Sequence, residues 1–416
     1  MRVDVSRAAR VVLLTRLAGA TALSIAHMPG ARRVAIGAVS VTTASVLPVF
    51  LTGALAVQIS AELGFDPAGL GLVVAFYFGI SALASLPCGW LVERFGAAVT
   101  SRIAVVGVAA ALGAIAAIAT SYTVLVALLL CCAWCNVLGQ LASNLTLAQH
   151  VPATRLGLSF GLKQAAIPIA TLLSGVAVPG IALTIGWRWA YVIAACLALG
   201  ALPLTPRSAS NRARSTATPG ERATGALSVI GIAAGLGAAA ANALGIFLVA
   251  AAVDRGISPG LAGLTLTMGS VVGLTLRLLN GWLADRRSGG HIAVVAGSLV
   301  CGAVGLALLA VPGTPALVIG TVLGFGLGWS WPGLLQFAVV RLHPSAPAAA
   351  TSIVQTGVYG GGFVGPIAFG FIAAHGSFPA AWLVGAVTML VAGLLMVLGR
   401  RMLVAHRTAA ARLATS

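Results

Sequence analysis

Charged residues are scarce in this sequence, where Asp, Glu, Lys and Arg together fill only 7% of the 416 positions. Only seven residues are acidic, and lysine occurs once, as Lys163, so arginine supplies the rest of the basic side chains. Hydrophobic residues make up 59% of the chain, and the mean hydropathy is +1.06. Because a soluble protein could not cover its surface with so few charges, the composition excludes that class and predicts a polytopic membrane protein.

Clusters of catalytic or metal-ligating side chains are also missing from the sequence. The six cysteines all fall inside apolar runs. Cys132 and Cys135 have the spacing of a redox or metal-binding pair, but no histidine or polar loop accompanies them, so we interpret them as packing residues. No His, Cys or Asp cluster has catalytic spacing. We therefore expect no enzyme activity, no metal and no cofactor.

The net charge of +17 raises the question of a nucleic-acid partner. The arginines lie in short loops between apolar runs rather than in a stripe, which is typical of membrane topology signals. With both termini in the cytoplasm, the cytoplasmic segments hold 20 of the 24 Lys and Arg residues, whereas Arg188 and Arg255 face outward. We therefore expect a multi-pass protein of the cell inner membrane, with both termini cytoplasmic and no nucleic-acid partner.

Twelve apolar runs are long enough to cross a hydrocarbon core of ~30 Å, which takes about 20 helical residues. The sequence therefore predicts an all-α protein with twelve transmembrane helices. We number these spans 1 to 12 in chain order, and the sequence predicts them at residues 34–58, 68–91, 99–120, 122–147, 156–182, 187–205, 225–250, 260–284, 291–311, 315–339, 350–374 and 378–399.

A polar, arginine-bearing segment over residues 206–224 divides these spans into six and six. The predicted organisation is a basic cytoplasmic arm over 1–33, two six-helix bundles over 34–205 and 225–400, and a cytoplasmic tail over 401–416.

The two halves of the chain repeat each other at a fixed offset of 192 residues. The segment that begins Gly89-Trp90-Leu91 recurs as Gly281-Trp282-Leu283. Each copy closes an apolar run with a glycine, an acid and an arginine. Further identities at the same offset pair Gly64 with Gly256, Pro67 with Pro259, Gly71 with Gly263, Leu72 with Leu264 and Pro152 with Pro344. The chain is therefore a tandem duplication of a six-helix unit.

The repeated segment resembles the signature loop of the major facilitator superfamily. Its first copy, Gly89-x-x-x-Glu93-Arg94-x-Gly96, follows span 2, and its second, Gly281-x-x-x-Asp285-Arg286, follows span 8, where that family repeats the loop. Gly186-Trp187-Arg188-Trp189-Ala190 before span 6 is also similar to the family pattern. The first copy departs from it because Ala97-Ala98-Val99 replaces the usual basic cluster, and the antiporter signature of span 5 is incomplete.

The resemblance implies two pseudo-symmetric six-helix bundles that rock around a central cavity, with the signature loops latching the cytoplasmic side. Charges near helix ends can form local bonds that break and re-form as bundles move. Interfacial charges that only fix topology are the alternative for this loop. The residues expected to form the latch are Gly89, Glu93, Arg94, Gly96, Gly281, Asp285 and Arg286.

Two cations fall inside the spans, and no acid does. Lys163 lies in span 5 and Arg277 in span 8. Lys163 lies eight residues after the loop residue Arg155, and Arg277 lies eight residues before the loop residue Asp285, which is about 12 Å along a helix in both cases. A charge inside lipid costs about 2.5–3.5 kcal/mol, so it normally faces a cavity or a partner, although snorkelling to the interface is the alternative for both. By the resemblance, spans 5 and 8 meet between the bundles, so both cations are expected to bind substrate.

Polar and aromatic side chains complete the predicted substrate site. Asn136, Gln140 and Asn144 in span 4 follow one another at the i, i+4, i+8 spacing of a single helix face. Packing between helices is the alternative role for each of these residues. The other candidates lie in spans 5, 7, 10 and 11 and are Gln164, Asn242, Trp329, Trp331, Gln336 and Gln355.

These features predict a secondary active or facilitative transporter that moves a small, anionic organic solute by alternating access. A drug or metabolite exporter of the same superfamily is one alternative, and a transport-inactive sensor or receptor on the same scaffold is another. The expected partners are the solute, a co-transported proton or a counter-substrate, and membrane lipid. We expect a monomer.

Overall fold

A computed structural model of the protein describes residues 29–150, 161–205, 224–342 and 347–415. Those residues are helical apart from short turns, they contain no strand, and they include twelve helical segments long and apolar enough to cross a membrane. The twelve spans predicted from the sequence are therefore confirmed. Most of the arm predicted over 1–33, the linker over 206–223 and Arg155 lie outside the described residues.

The helices of the first half form spans 1 to 6. A short helix of eight residues follows span 1, and a single helix carries both span 2 and span 3. In order, the helices are Pro29–Ala54, Ala56–Leu63, Pro67–Ile118, Tyr122–His150, Ala166–Ala177 with the π-helical continuation Val178–Ala182, and Trp187–Gly200 with the 3₁₀ turn Leu202–Leu204.

The helices of the second half form spans 7 to 12. Span 10 consists of three consecutive pieces, and span 12 continues well beyond the predicted residue 399, so the predicted tail is helical up to residue 415. In order, the helices are Thr224–Asp254, Pro259–Arg286, His291–Ala310, Thr314–Leu323 with the π-helical segment Gly324–Gly328 and then Pro332–Leu342, Pro347–His375, and Phe378–Thr415.

The repeated glycines and prolines form the same turn in both halves. Gly64 and Gly256 have φ angles of 69° and 83°, in the left-handed region that glycine adopts without a steric penalty. Three residues later, Pro67 and Pro259 begin spans 2 and 8, where a missing N–H costs nothing. Asp66 also caps span 2, because its side chain accepts a hydrogen bond of 2.8 Å from the Gly69 backbone N–H.

The signature segment forms a tighter turn than the sequence predicts. Helical geometry continues from span 2 into span 3 except at Gly96, whose φ of 78° and ψ of 164° break the helix at one residue. A side chain at this position would be strained, so the glycine accounts for the turn. We call the end of the molecule that carries residues 89–96 and 281–290 the motif end, and the other end the opposite end.

Spans 5 and 10 are not the continuous helices that the sequence predicts. Span 5 is interrupted at Ala165, just before Pro168, and becomes π-helical at Val178. Span 10 turns π-helical over Gly324–Gly328 and leaves the helix altogether before Pro332. Proline removes a backbone donor and clashes with the preceding turn, and glycine weakens a helix, so both breaks have a local cause.

Spans 7 and 11 are packed backbone against backbone. A Cβ added at Gly357 would lie 1.9 Å from the Gly231 carbonyl oxygen, and one at Gly361 would lie 1.9 Å from the Gly235 oxygen. Small residues at four-residue spacing allow this approach in a membrane, where apolar side chains gain nothing from leaving lipid. The two stripes that meet are Gly231, Gly235 and Ala239 on span 7, and Gly357, Gly361 and Gly365 on span 11.

The two bundles meet along spans 5 and 8 and along spans 2 and 11. Gly175 of span 5 lies against Gly263 of span 8, and Gly71 of span 2 lies against Pro366 of span 11. In the buried centre of the first pair, the Ser270 hydroxyl donates a 2.7 Å hydrogen bond to the Thr171 hydroxyl. These contacts place Lys163 and Arg277 on the two spans that form one side of the interface.

Candidate functional site

Arg277 is buried between the bundles and is bound to backbone carbonyls rather than to an acid. Its side chain is 3% exposed. Nε and one terminal nitrogen donate to the Trp329 carbonyl of span 10, at 3.2 and 2.6 Å, and the other terminal nitrogen donates to the Gln164 carbonyl of span 5. The guanidinium carbon also lies 5.7 Å from the centre of the Trp329 ring. Arg277 therefore connects three spans and both bundles.

The carbonyl of Gln164 lacks a helical donor because of the chain sequence. In an α-helix, the carbonyl of residue 164 would accept from the N–H of residue 168, and that residue is Pro168. Trp329 lies in the break of span 10, with φ −125° and ψ 4°, so its carbonyl also leaves the helical ladder. Unpaired carbonyls are costly inside a membrane, and Arg277 supplies the donors that both of them lack.

A second carbonyl in the same break of span 10 is satisfied in a similar way. Gly328 would pair with the N–H of residue 332, which is Pro332. The Trp331 indole donates to the Gly328 carbonyl instead, at 2.9 Å. Trp331 is 1% exposed, so this predicted substrate residue has a structural partner inside span 10.

A chain of three glutamine side chains runs beside Arg277. The amide nitrogen of Gln164 donates to the amide oxygen of Gln336 at 3.4 Å, and the nitrogen of Gln336 donates to the oxygen of Gln355 at 3.2 Å. The three residues belong to spans 5, 10 and 11, and each is half-buried. The chain therefore crosses from one bundle to the other, parallel to the Arg277 contacts.

Lys163 precedes Gln164 and is 7% exposed. Among the residues that the structure describes, none forms a hydrogen bond or ion pair with its ammonium group. Burial of an unpaired ammonium is unfavourable, so such a group normally faces a cavity or a partner that supplies the opposite charge.

Aromatic rings cover the Arg277 cluster towards the opposite end. The ring of Trp329 lies 5.6 Å from that of Phe50, four residues before the end of span 1, and 5.5 Å from that of Phe325. Gly245 of span 7 leaves room for this contact, because a Cβ there would lie 2.7 Å from Trp329 and 2.9 Å from Phe50. Sequence reasoning missed Phe50, since nothing in its local pattern distinguishes it from other apolar residues of span 1.

Four predicted substrate residues do not join this hydrogen-bonded cluster. Asn136 is buried and donates to the Ser81 hydroxyl of span 2 at 3.5 Å, while its amide oxygen has no partner. Gln140 is half-buried, and Asn144 is exposed. Asn242 is buried in span 7, close to Gly362 of span 11. The cluster therefore contains Arg277, Gln164, Trp329, Gln336 and Gln355, with Lys163 adjacent to it in the chain.

The arginines of the two signature segments stack on tryptophans of the same segments. The guanidinium of Arg94 lies 5.0 Å from the Trp90 ring, and that of Arg286 lies 3.9 Å from the Trp282 ring. These pairs are equivalent under the 192-residue offset. Both arginines and the acid Glu93 are exposed. Cation–π contacts of this kind are worth about 0.5–1 kcal/mol at exposed positions.

An ion pair that was not predicted from the sequence lies at the opposite end. Arg188 pairs with Glu62 at 2.6 Å and donates to the Ala119 carbonyl at 3.0 Å, and the Trp187 indole donates to Glu62 at 2.7 Å. Hydrogen bonds from Arg188 and then Trp187 lower the pKa of the Glu62 carboxyl. The Gly186-Trp187-Arg188 segment before span 6 stood out in the sequence as a signal for this contact. Nothing in the sequence identified Glu62 as its partner acid.

Two six-helix units joined along paired spans, with an interior polar cluster between them, define a polytopic membrane transporter. A family model described as the Major Facilitator Superfamily matches residues 34–231 and, a second time, residues 227–414. The chain therefore belongs to the Major Facilitator Superfamily, as the signature segments predicted.

A solved structure with a similar fold is that of a bacterial homologue of the human lysosomal transporter Spinster, in an inward-facing and occupied conformation. The TM-score is 0.66, with 15% sequence identity over 92% of this chain and 98% of that one. No curated protein sequence matches this chain.

Proposed function

We propose that the chain transports a small anionic organic solute by alternating access. The observation that carries this proposal is the presence of two buried cations, Lys163 and Arg277, in the interior of spans 5 and 8, where no acidic residue lies. Asp285, the acid nearest to Arg277 in the chain, lies in the last turn of span 8. Arg277 is solvated by two carbonyls, which are neutral and do not compensate its positive charge. An anion between the bundles would supply the missing charge.

The cost of burying the two cations favours an anion over a neutral or cationic solute. Each cation costs about 2.5–3.5 kcal/mol at the centre of a membrane helix. A negatively charged group that is desolvated next to Lys163 offsets this cost by direct attraction, whereas a second cation would increase it. The half-buried amides of Gln164, Gln336 and Gln355 add neutral hydrogen-bonding groups for the rest of the solute.

Alternating access would take place by rocking of the bundles about the contacts between spans 5 and 8 and between spans 2 and 11. In this proposal both termini are cytoplasmic, the motif end faces the cytoplasm, and the protein works as a monomer. The signature residues act as the latch of that end: Gly89, Glu93, Arg94, Gly96, Gly281, Asp285 and Arg286. Exchange with a counter-substrate and symport with a proton are both compatible with the charges of the site.

The test is counterflow in proteoliposomes with small carboxylates and their neutral amides. We expect the carboxylates to exchange and the amides not to. Lys163→Met should reduce carboxylate exchange at least about tenfold, which corresponds to about 1.4 kcal/mol, whereas Lys163→Arg should retain most of it because the charge remains. Exchange of neutral or cationic solutes alone, or full carboxylate exchange by Lys163→Met, would overturn the proposal.

A further inference from the structure

The candidate site presents hydrogen-bond acceptors as well as positive charge. The carbonyl oxygen of Gln164 has no helical donor because Pro168 lacks an N–H, and the carbonyl of Trp329 lies in the break of span 10. Both accept from Arg277. In the chain of glutamines, Gln164 uses only its side-chain nitrogen, which donates to Gln336. None of the hydrogen bonds among the described residues involves its side-chain oxygen. A carbonyl oxygen has two lone pairs, so these atoms can accept a further donor.

A solute that is only an anion would not match this set of groups. A carboxylate contains acceptors alone, so it can bind Lys163 and the remaining N–H groups of Arg277 but cannot approach the oxygens of Gln164 favourably. If it drew Arg277 away from these carbonyls, it would leave them unpaired in a buried site. A solute that also carries a donor next to its carboxylate would satisfy the oxygens and the cations together.

Resting on the proposed anion transport, the geometry points to a 2-hydroxy carboxylate as the substrate class. Its carboxylate binds Lys163 and Arg277, and its hydroxyl donates to the Gln164 carbonyl. Arg277 itself donates to the Gln164 carbonyl, so a carboxylate on the remaining N–H groups of the same guanidinium would lie beside that carbonyl, which suits two groups on adjacent carbons. The donor is a hydroxyl rather than an ammonium, because an ammonium would cancel the charge of the carboxylate, and no acidic residue lies in the interior of spans 5 and 8 to replace it.

The first experiment uses the unaltered protein and four acids that differ only at carbon 2. The competitors in counterflow are propanoate, 2-hydroxypropanoate, 2-methoxypropanoate and 2-aminopropanoate. The series is then repeated with 3-phenylpropanoate and its three derivatives that carry the same groups at carbon 2. We expect the hydroxy acid to compete about tenfold better than the unsubstituted and methoxy acids, because only the hydroxyl donates. Equal competition by these three acids, or preference for the amino acid, would overturn the inference.

The second experiment changes the hydrogen bonding of the Gln164 carbonyl without changing a side chain of the site. Pro168→Ala supplies a backbone N–H to the Gln164 carbonyl, so the preference for the hydroxy acid should fall to about twofold or less while carboxylates still exchange. Pro87→Ala is the matched control, since Pro87 is an exposed proline inside span 2, and it should keep the tenfold preference. Full preference in Pro168→Ala would contradict the assigned acceptor.

Different outcomes overturn anion transport and the hydroxy-acid assignment. If all carboxylates exchange equally well, anion transport stands and the hydroxy-acid assignment falls. If no carboxylate exchanges, the proposed function and the assignment fall together. Should Pro168→Ala fail to fold, the four-acid series on the unaltered protein still decides the question.

Discussion

Arg277 is both a buried cation and a donor to two carbonyls. A double-mutant cycle can separate its hydrogen bond to the Gln164 carbonyl from its other contributions to stability. Arg277→Met leaves the Gln164 and Trp329 carbonyls without donors, which costs about 1–3 kcal/mol for each, or about 2–6 kcal/mol together. The same change removes a buried charge and returns about 2.5–3.5 kcal/mol. The net effect of Arg277→Met on stability therefore lies between about −1.5 and +3.5 kcal/mol, so its sign is not fixed and it is not diagnostic by itself.

Pro168→Ala makes the cycle informative, because it gives the Gln164 carbonyl an N–H donor from its own helix. With Arg277 present, that carbonyl already has a donor. In the Arg277→Met background, the same proline change rescues an unpaired carbonyl. We expect Pro168→Ala to be more favourable in that background by about 1–3 kcal/mol, and the cycle cancels the intrinsic helix preference of alanine.

The measurement is the free energy of unfolding for the four proteins, obtained by titrating mixed micelles with a denaturing detergent and following tryptophan fluorescence. The interaction between the two sites is the difference between the two proline effects. An interaction below about 0.5 kcal/mol would refute the assignment of Arg277 as the donor to the carbonyl that Pro168 leaves unpaired. Pro87→Ala in both backgrounds is the control, and it should show no interaction.

Two further predictions concern the opposite end of the molecule. Because Arg188 lowers the pKa of Glu62, their pair stabilises the fold above the ordinary carboxyl pKa of about 4. This contribution of at most about 1 kcal/mol should be lost as the pH falls through the lowered pKa of Glu62. Glu62→Gln should abolish that part of the pH dependence of the melting temperature. A Cβ at Gly71 would lie 2.3 Å from the Pro366 carbonyl oxygen, so Gly71→Ala should destabilise the contact between spans 2 and 11 by about 1–3 kcal/mol. Gly113→Ala, where no atom lies within 4 Å, should not be destabilising, and an unchanged melting temperature for Gly71→Ala would contradict this contact.

The fold was predictable because its signals are local or repeated. Long apolar runs define the spans without any knowledge of their neighbours, since most backbone groups of a membrane helix are satisfied within the helix. The 192-residue repeat, visible in pairs such as Gly64 and Gly256, predicts two equivalent bundles before any contact is known. Breaks in spans 5 and 10 were the part that hydropathy missed, because a π-helical turn or a Pro-induced interruption leaves the apolar run intact.

The candidate site was predictable in its charges and not in its contacts. Lys163 and Arg277 stand out because ionisable residues are rare in membrane helices. Pro168 also shows in the sequence that the Gln164 carbonyl lacks a helical donor. Which side chain fills that gap depends on how span 8 lies against span 5, and no spacing along the chain carries this information. The same limit applies to Asn136, whose partner in span 2 lies 55 residues away.

The glycine stripes of spans 7 and 11 have a consequence for the order of assembly. Gly235 and Gly361 meet in the finished protein, but 361 − 235 = 126 residues separate them in the chain. At a synthesis rate of about 5–20 residues per second, span 7 enters the bilayer roughly 6–25 seconds before its partner exists. During that interval its stripe exposes only glycine and alanine, and these leave no side-chain polar group in lipid. A polar contact at the same place would have left span 7 with an unsatisfied group while the chain was still being made.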